Sequence, residues 1–180
     1  MQITKAAATH LTPEIILLIG GTLVMCASVL TRKSQREDIY AQRNNFAVAS
    51  LICLLAAMAA RYYRGVPEIG NADLGLFRFD ASALAAERLT FLGGLILILM
   101  SWSTAPKGRF AEYYGCLLII LAAIPIVGAS NDLVSMFLGL ELVSFPTYIL
   151  LGIVRNDNAG AEASLKYFLL SAFASCFFLL

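Results

Sequence analysis

The sequence predicts an all-α protein, a polytopic bundle of about six transmembrane helices. Three observations carry this. Hydrophobic residues make up 59% of the chain, against roughly 45–50% in soluble domains, and mean hydropathy is +0.78. Charged residues are 14% and gather between apolar runs. Those runs, near 14–30, 46–60, 81–101, 113–129, 132–154 and 162–180, approach or reach the roughly 17–25 residues that cross a bilayer as a helix. They are read as one membrane domain over 1–180, with the lipid bilayer as its first partner. A net charge of +1 supplies no basic field, so nucleic acid is not a partner.

The first run follows a polar leader of residues 1–13 that holds His10, to which no role is given. Glu14 stands at the start of the run, and Arg32, Lys33 and Arg36 come after it. That order favours a retained helix over a cleaved signal peptide, whose positive charge would come first. A charged loop spans Thr31 to Asn45. The second run is rich in Ala, which permits close helix packing. Arg61 to Asp80 is a longer connection with Gly65, Pro67, Gly70 and Asn71 as turn residues, and Leu74 to Phe79 is expected to touch the interface. In the third run Glu87 and Arg88 are read as interface markers, and Trp102 sits at a boundary, where aromatic belts form. The fourth run is kinked at Pro125. Glu112 and Asp132, at its two ends, are read as surface helix-end residues. Cys26, Cys53, Cys116 and Cys176 all lie in apolar runs with no CxxC and are read as buried small hydrophobes.

Alternating spans place Arg32, Lys33, Arg36, Arg43, Lys107, Arg109 and Arg155 on one side, with Lys166 just inside. Lys5, Arg61, Arg64, Arg78 and Arg88 fall on the other. The richer side is cytoplasmic by the positive-inside rule, which puts the N-terminus outside. The chain ends in SAFASCFFLL, inside an apolar run with no polar flank. A spanning helix needs such a flank to fix its depth, so a longer protein is expected.

Asn131 to Val154 is the stretch around which the rest is arranged. Glu141 lies near its middle. A carboxylate at mid-bilayer costs roughly 2.5–3.5 kcal/mol on insertion scales, so it is kept for a task or satisfied by a neighbour. Two readings stand: a proton-carrying carboxyl, or a protonated acid that hydrogen-bonds to the next helix as packing glue. Ser144 and Tyr148, at i+3 and i+7, give Glu141 a polar stripe on its own face. Pro146 has no N–H for the carbonyl of Leu142, which loosens the helix near the acid. Tyr113, Tyr114, Tyr148 and Tyr167 are read as packing or interface residues rather than proton donors. Lys166 is either a relay residue or a snorkelling interfacial lysine. It lies about 6 Å into the sixth span, whereas Glu141 is about 20 Å from the cytoplasmic end of its own helix, so the two are expected to need water between them. No phosphate loop, haem ligand pair, zinc pattern or nucleophile elbow is present.

From Glu112 on, the chain carries FLGLEL, SFPTY, a short polar turn and EASLKYFLLSAFAS, and upstream PEIILLIGG and LFRFDASAL. In these it resembles the antiporter-like membrane subunits of respiratory complex I, with the two upstream pieces fitting the family's first and third helices. The LGLELxSxP surroundings of Glu141 favour the subunit-N branch over cation/proton antiporter subunits. The resemblance implies a fold of about fourteen helices built from repeats. Glu141 and Lys166 then match the family's helix-five glutamate and helix-six lysine, both on its proton path. The family's glutamate pairs with a lysine on a broken seventh helix, which this sequence does not contain. The implied function is a proton-translocating subunit of an NADH:quinone oxidoreductase, in a bacterial inner membrane. This chain would carry no redox centre; NADH, FMN, iron–sulfur clusters and quinone would belong to other membrane-arm and peripheral subunits. The alternatives are a cation/proton antiporter component and a non-catalytic membrane scaffold.

Overall fold

A computed structural model of the chain describes residues 10–31, 39–64, 76–155 and 157–180. Among these residues the chain is helical throughout its main elements: α1 (Thr12–Thr31), α2 (Ile39–Arg64), α3 (Ala81–Thr104), α4 (Phe110–Ala129), α5 (Leu133–Val154) and α6 (Asn158–Leu179). Residues Tyr40–Tyr63 of α2, and all of α3, α4 and α5, are long and apolar enough to cross a membrane; α1 holds a shorter apolar stretch, Thr12–Ser28. The protein is a multi-pass membrane protein. The leader before His10 and the basic cluster Arg32, Lys33 and Arg36 lie outside the described residues.

Three aspartates start helices. Asp80, Asp132 and Asp157 have extended backbones and accept from the backbone N–H of Ala83, Ser135 and Gly160 at 3.0, 2.9 and 2.7 Å. Each cap satisfies a donor that the first helical turn leaves unpaired. Hydroxyl bonds from Ser82 to Asp80 and from Ser135 to Asp132, together with the backbone bonds, hold all three carboxyls below the usual carboxylate range. Asp132 is thus the helix-end residue read from sequence, and it caps α5. Pro125 and Pro146 lie inside α4 and α5 and are buried; both helices continue through them.

Several boundaries differ from the sequence reading. α2 begins at Ile39, within the expected loop, because Gln42, Arg43 and Asn44 are compatible with a polar helical turn and carry no breaker. Trp102 lies within α3, and its indole N–H donates to Asn44 at 3.1 Å. Helix α2 also runs past the expected span end to Arg64, which places Arg61 inside a helix rather than in a connection.

The core forms where α4 meets α1, α2 and α3, with Leu17, Leu54, Ile98, Tyr114 and Leu118 fully enclosed. The most extensive packing is between α1 and α4, and α5 lies against α4. Among the described elements α6 packs only on α5, and most of its residues are exposed. Of the cysteines, Cys116 is buried and Cys53 half-buried, but Cys26 and Cys176 face outward. Burial fails for those two because an outward face of a spanning helix is also apolar.

Small residues let α1 and α4 meet closely. A Cβ at Gly21 would lie 2.9 Å from the carbonyl oxygen of Gly115, and one at Gly115 would lie 2.9 Å from that of Gly21 and collide with Met25. Backbone cannot yield as a side chain does. Gly115→Leu is therefore expected to destabilise the bundle by about 1–3 kcal/mol through overpacking, read as a lower thermal-unfolding midpoint in detergent. Gly93→Ala, with nothing near its Cβ, should leave that midpoint unchanged.

Opposite the α1–α2 end, at the N-termini of α1, α3 and α5, a strap crosses the α4–α5 turn. Phe77 bridges to Ser130, Arg78 N–H donates to Ala129 O at 2.7 Å, and Asn131 N–H donates to Leu76 O at 2.9 Å. Phe79 packs with Ala83 and Ala129. The part of the expected interface segment that is described, Leu76 to Phe79, thus ties two helical layers together.

Candidate functional site

The polar groups of α5 and α6 face one another along a single seam. Glu141 is half-buried on α5, and the Ser175 hydroxyl of α6 hydrogen-bonds to its Oε1. One turn away, Ser144 joins them in lining a cavity of about 190 Å³, together with Phe137, Ser171 and Phe178. The Tyr148 hydroxyl donates to Ser171 Oγ at 3.1 Å. The Ser164 hydroxyl donates to the Tyr148 backbone carbonyl at 2.9 Å. Tyr148 is held between the rings of Phe145, Tyr167 and Phe168.

A second cavity of about 460 Å³ lies toward the α5–α6 turn, lined by Tyr148, Arg155, Asp157, Ser164 and Phe168. Tyr148 borders this cavity while Ser171 borders the first. Their hydrogen bond thus links a residue that lines one cavity to a residue that lines the other. A hydroxyl can accept one proton while giving up another, so the pair can pass a proton. Pro146 sits between Glu141 and Tyr148, and its ring leaves the Leu142 carbonyl without its helical donor.

The structure brings together Glu141, Ser144 and Tyr148. Lys166 is elsewhere: its ammonium is 2.5 Å from Glu162 one turn back on α6, and both side chains are mostly exposed. Tyr148, read from sequence as a packing residue, packs and also donates. Ser164, Ser171 and Ser175 were not singled out from sequence. Their signal was the i, i+7, i+11 spacing, which places three hydroxyls on one face of an apolar helix.

Away from the seam, Glu112 is half-buried rather than at the surface. It accepts from the Ser28 hydroxyl at 3.0 Å and lines a cavity of about 340 Å³ with Gln42, Arg109 and Ile153. Glu87 is also no interface marker: it is 3% exposed and bound to Arg61. Adjacent Arg88 is exposed, so the two neighbours do point apart. No group of three or more His, Cys, Asp or Glu residues able to hold a metal occurs among the described residues.

Residues 130–180, which contain the whole α5–α6 seam, match the family described as NADH:quinone oxidoreductase/Mrp antiporter, TM. Over nearly all its length the chain is similar to NADH-quinone oxidoreductase subunit N 1 of Solibacter usitatus, with 35% identity over 175 residues, 96% of this chain and 34% of the relative. Subunit N of Leptospira interrogans is 34% identical over 177 residues, covering 93% of this chain and 32% of the relative. Subunit N 2 of Rhizobium meliloti is 33% identical over 170 residues, covering 93% and 34%. The chain thus spans about a third of the length of the curated relatives it matches. Taken with the helical membrane architecture and the acid-bearing fifth helix, these likenesses make the chain similar to the antiporter-like membrane subunits of NADH:quinone oxidoreductases, and within them to subunit N.

Proposed function

We propose that this chain belongs to a proton-translocating membrane subunit of an NADH:quinone oxidoreductase and that Glu141 carries the proton. The observation that carries this reading is a carboxyl in the middle of a spanning helix, hydrogen-bonded to Ser175 and bordering a cavity. A carboxyl can take up and release a proton, and a cation or water brought near it favours release. A change in either shifts the balance between binding and releasing a proton. Redox chemistry with NADH, FMN, iron–sulfur clusters and quinone belongs, on this reading, to partner subunits. Coupling is then electrostatic: charge moved elsewhere in the membrane arm changes the free energy of ionising Glu141.

On this proposal protons arrive from the cavity at the α5–α6 turn, cross at Tyr148 and Ser171, and reach the cavity that holds Glu141. Ser144 adds a hydroxyl to the cavity at Glu141, and Pro146 gives the helix a point of flexure beside it. Lys166, paired with Glu162, is the second member of the relay near the start of α6, linked to Glu141 by water or by groups from the rest of the assembly. The membrane is the cell inner membrane, the N-terminus is outside, and the α5–α6 turn is cytoplasmic.

Replacing Tyr148 tests the route. Tyr148→Phe keeps the ring packing and removes the hydroxyl that passes the proton, so proton uptake should slow by at least about 10²-fold with assembly intact. The measurement is NADH-driven acidification of inverted membrane vesicles that carry the whole complex. Unchanged uptake would reject the Tyr148–Ser171 junction as the path. The match to a family description that also names an antiporter favours a second reading, cation/proton exchange. Sodium- or potassium-driven proton movement in vesicles given no NADH would establish it in place of the first.

A further inference from the structure

We propose that Glu14, Arg61 and Glu87 form a second proton-holding centre, in which Glu14 carries an exchangeable proton while Arg61 stays bound to Glu87. The proposal does not depend on the role of Glu141. The three residues come from α1, α2 and α3, at the end of the bundle where α1 and α3 begin. Among the described elements α5 packs only on α4 and α6, so this cluster and the seam are separate.

The geometry is unequal. The Arg61 guanidinium makes a forked contact with Glu87: Nε donates to Oε1 at 2.6 Å and Nη2 lies 2.6 Å from Oε2. Nη2 also donates to the His10 carbonyl at 3.3 Å. Glu14 stands back, with Oε1 at 3.9 Å from Nη2. Its other oxygen, Oε2, is enclosed and has no hydrogen-bond partner. Both acids are 3% exposed. Two carboxyls therefore share one guanidinium in a place with little water.

Charge arithmetic decides the state. The forked Arg61–Glu87 pair is neutral as a unit and its hydrogen bonds are made. If Glu14 were also ionised, a buried negative charge would remain with an orphan oxygen, which is among the most costly arrangements a protein interior holds. A proton on Glu14 removes that charge. The orphan oxygen is the one such a proton would occupy. Among the described side chains of the packed elements, α4 carries its charged residue, Glu112, at the opposite end, Arg43 lies toward the other end of α2, and Arg88 points outward from α3. His10, just before α1, leans on Phe79, and burial together with Arg61 pushes its imidazole pKa down, so it adds no cation near neutral pH.

The same arrangement can change hands. Arg61 needs only to close the 3.9 Å gap to grip Glu14. The proton leaves a Glu14 oxygen as the guanidinium arrives, and an oxygen of Glu87 takes up one proton, directly or through water. Arg61 keeps its own protons throughout. One proton and one cation thus serve two carboxyls, and loss of the proton to water leaves both acids competing for Arg61.

The test is infrared difference spectroscopy of the full-length protein in its native membrane, comparing the carboxylic-acid C=O bands of variants with those of the unaltered protein. Glu14→Gln replaces a neutral acid by a neutral amide, so it should assemble normally and lose one protonated-carboxyl band. Glu87→Gln frees Arg61 to bind an ionised Glu14, so it should assemble and lose the same band. A Glu14→Gln protein that assembles with every band intact would overturn the proposal. So would failure of Glu14→Gln to assemble, since that would mean the charge on Glu14 was required. If Glu87→Gln keeps the band or fails to assemble, sharing through Arg61 is rejected.

Discussion

Glu141→Gln is expected to lower the proton flux carried by this subunit on the order of 10²-fold, the low end of what a positioned proton-transfer group supplies. The amide has nearly the same shape and can still accept from Ser175, so α5 and α6 should stay packed and the subunit should assemble. What the amide lacks is a titratable oxygen. Electron flow from NADH to an artificial acceptor, which bypasses the membrane arm, should be unchanged in the same vesicles, while NADH-driven acidification falls. The two assays together separate proton carriage from structural support. If Glu141 acts only as packing glue, acidification survives, because the hydrogen bond survives. Glu141→Ala is a poorer probe: it removes the proton carrier and the Ser175 partner together, leaving a hydroxyl unpaired as well.

The fold was legible because its signals are one-dimensional. Apolar runs of spanning length, separated by charged or Gly- and Pro-containing segments, announce helices whatever they pack against. Glu141 was legible for the same reason, since an acid in the middle of an apolar run stands out without any knowledge of its neighbours. Ser144 and Tyr148 followed from the helical repeat of that one segment. The serines of α6 were harder. Serine is common in spanning helices, and only the partner face on α5 shows which of them matter. Glu87 was read as an interface marker and Arg61 as part of a connection because each lies near the edge of its run, where a charge normally marks the interface, and Glu14 was placed only at the entry of its run. Glu14 and Glu87 are separated by a whole helix and two connections, and no local pattern reports that Arg61 fills the gap between them. Lys166 shows the converse. Its match to a family position was plain in sequence, but the structure of this chain pairs it with Glu162 and leaves it exposed.

Arg61→Ala should have the largest effect on stability, a loss of about 3–5 kcal/mol, as is usual when one partner of a buried ion pair is removed. Glu87 would keep its burial and lose its two hydrogen bonds from the guanidinium, and the His10 carbonyl would lose its donor. The expected readings are a lower unfolding midpoint in detergent and a reduced amount of the subunit in the membrane. The size of the loss reflects the stranded Glu87 charge more than the worth of the pair, because burying two ions is itself costly. Replacing both partners separates the two effects. Arg61→Met with Glu87→Met removes the pair as a unit, and well-packed apolar replacements of buried pairs are often close to neutral. That double variant should recover most of the stability, but only if Glu14 is uncharged; an ionised Glu14 would be stranded in it without any cation. Recovery in the double variant, beside a large loss in Arg61→Ala, would place the cost in Glu87 alone. A double variant as unstable as Arg61→Ala would place a second buried charge on Glu14.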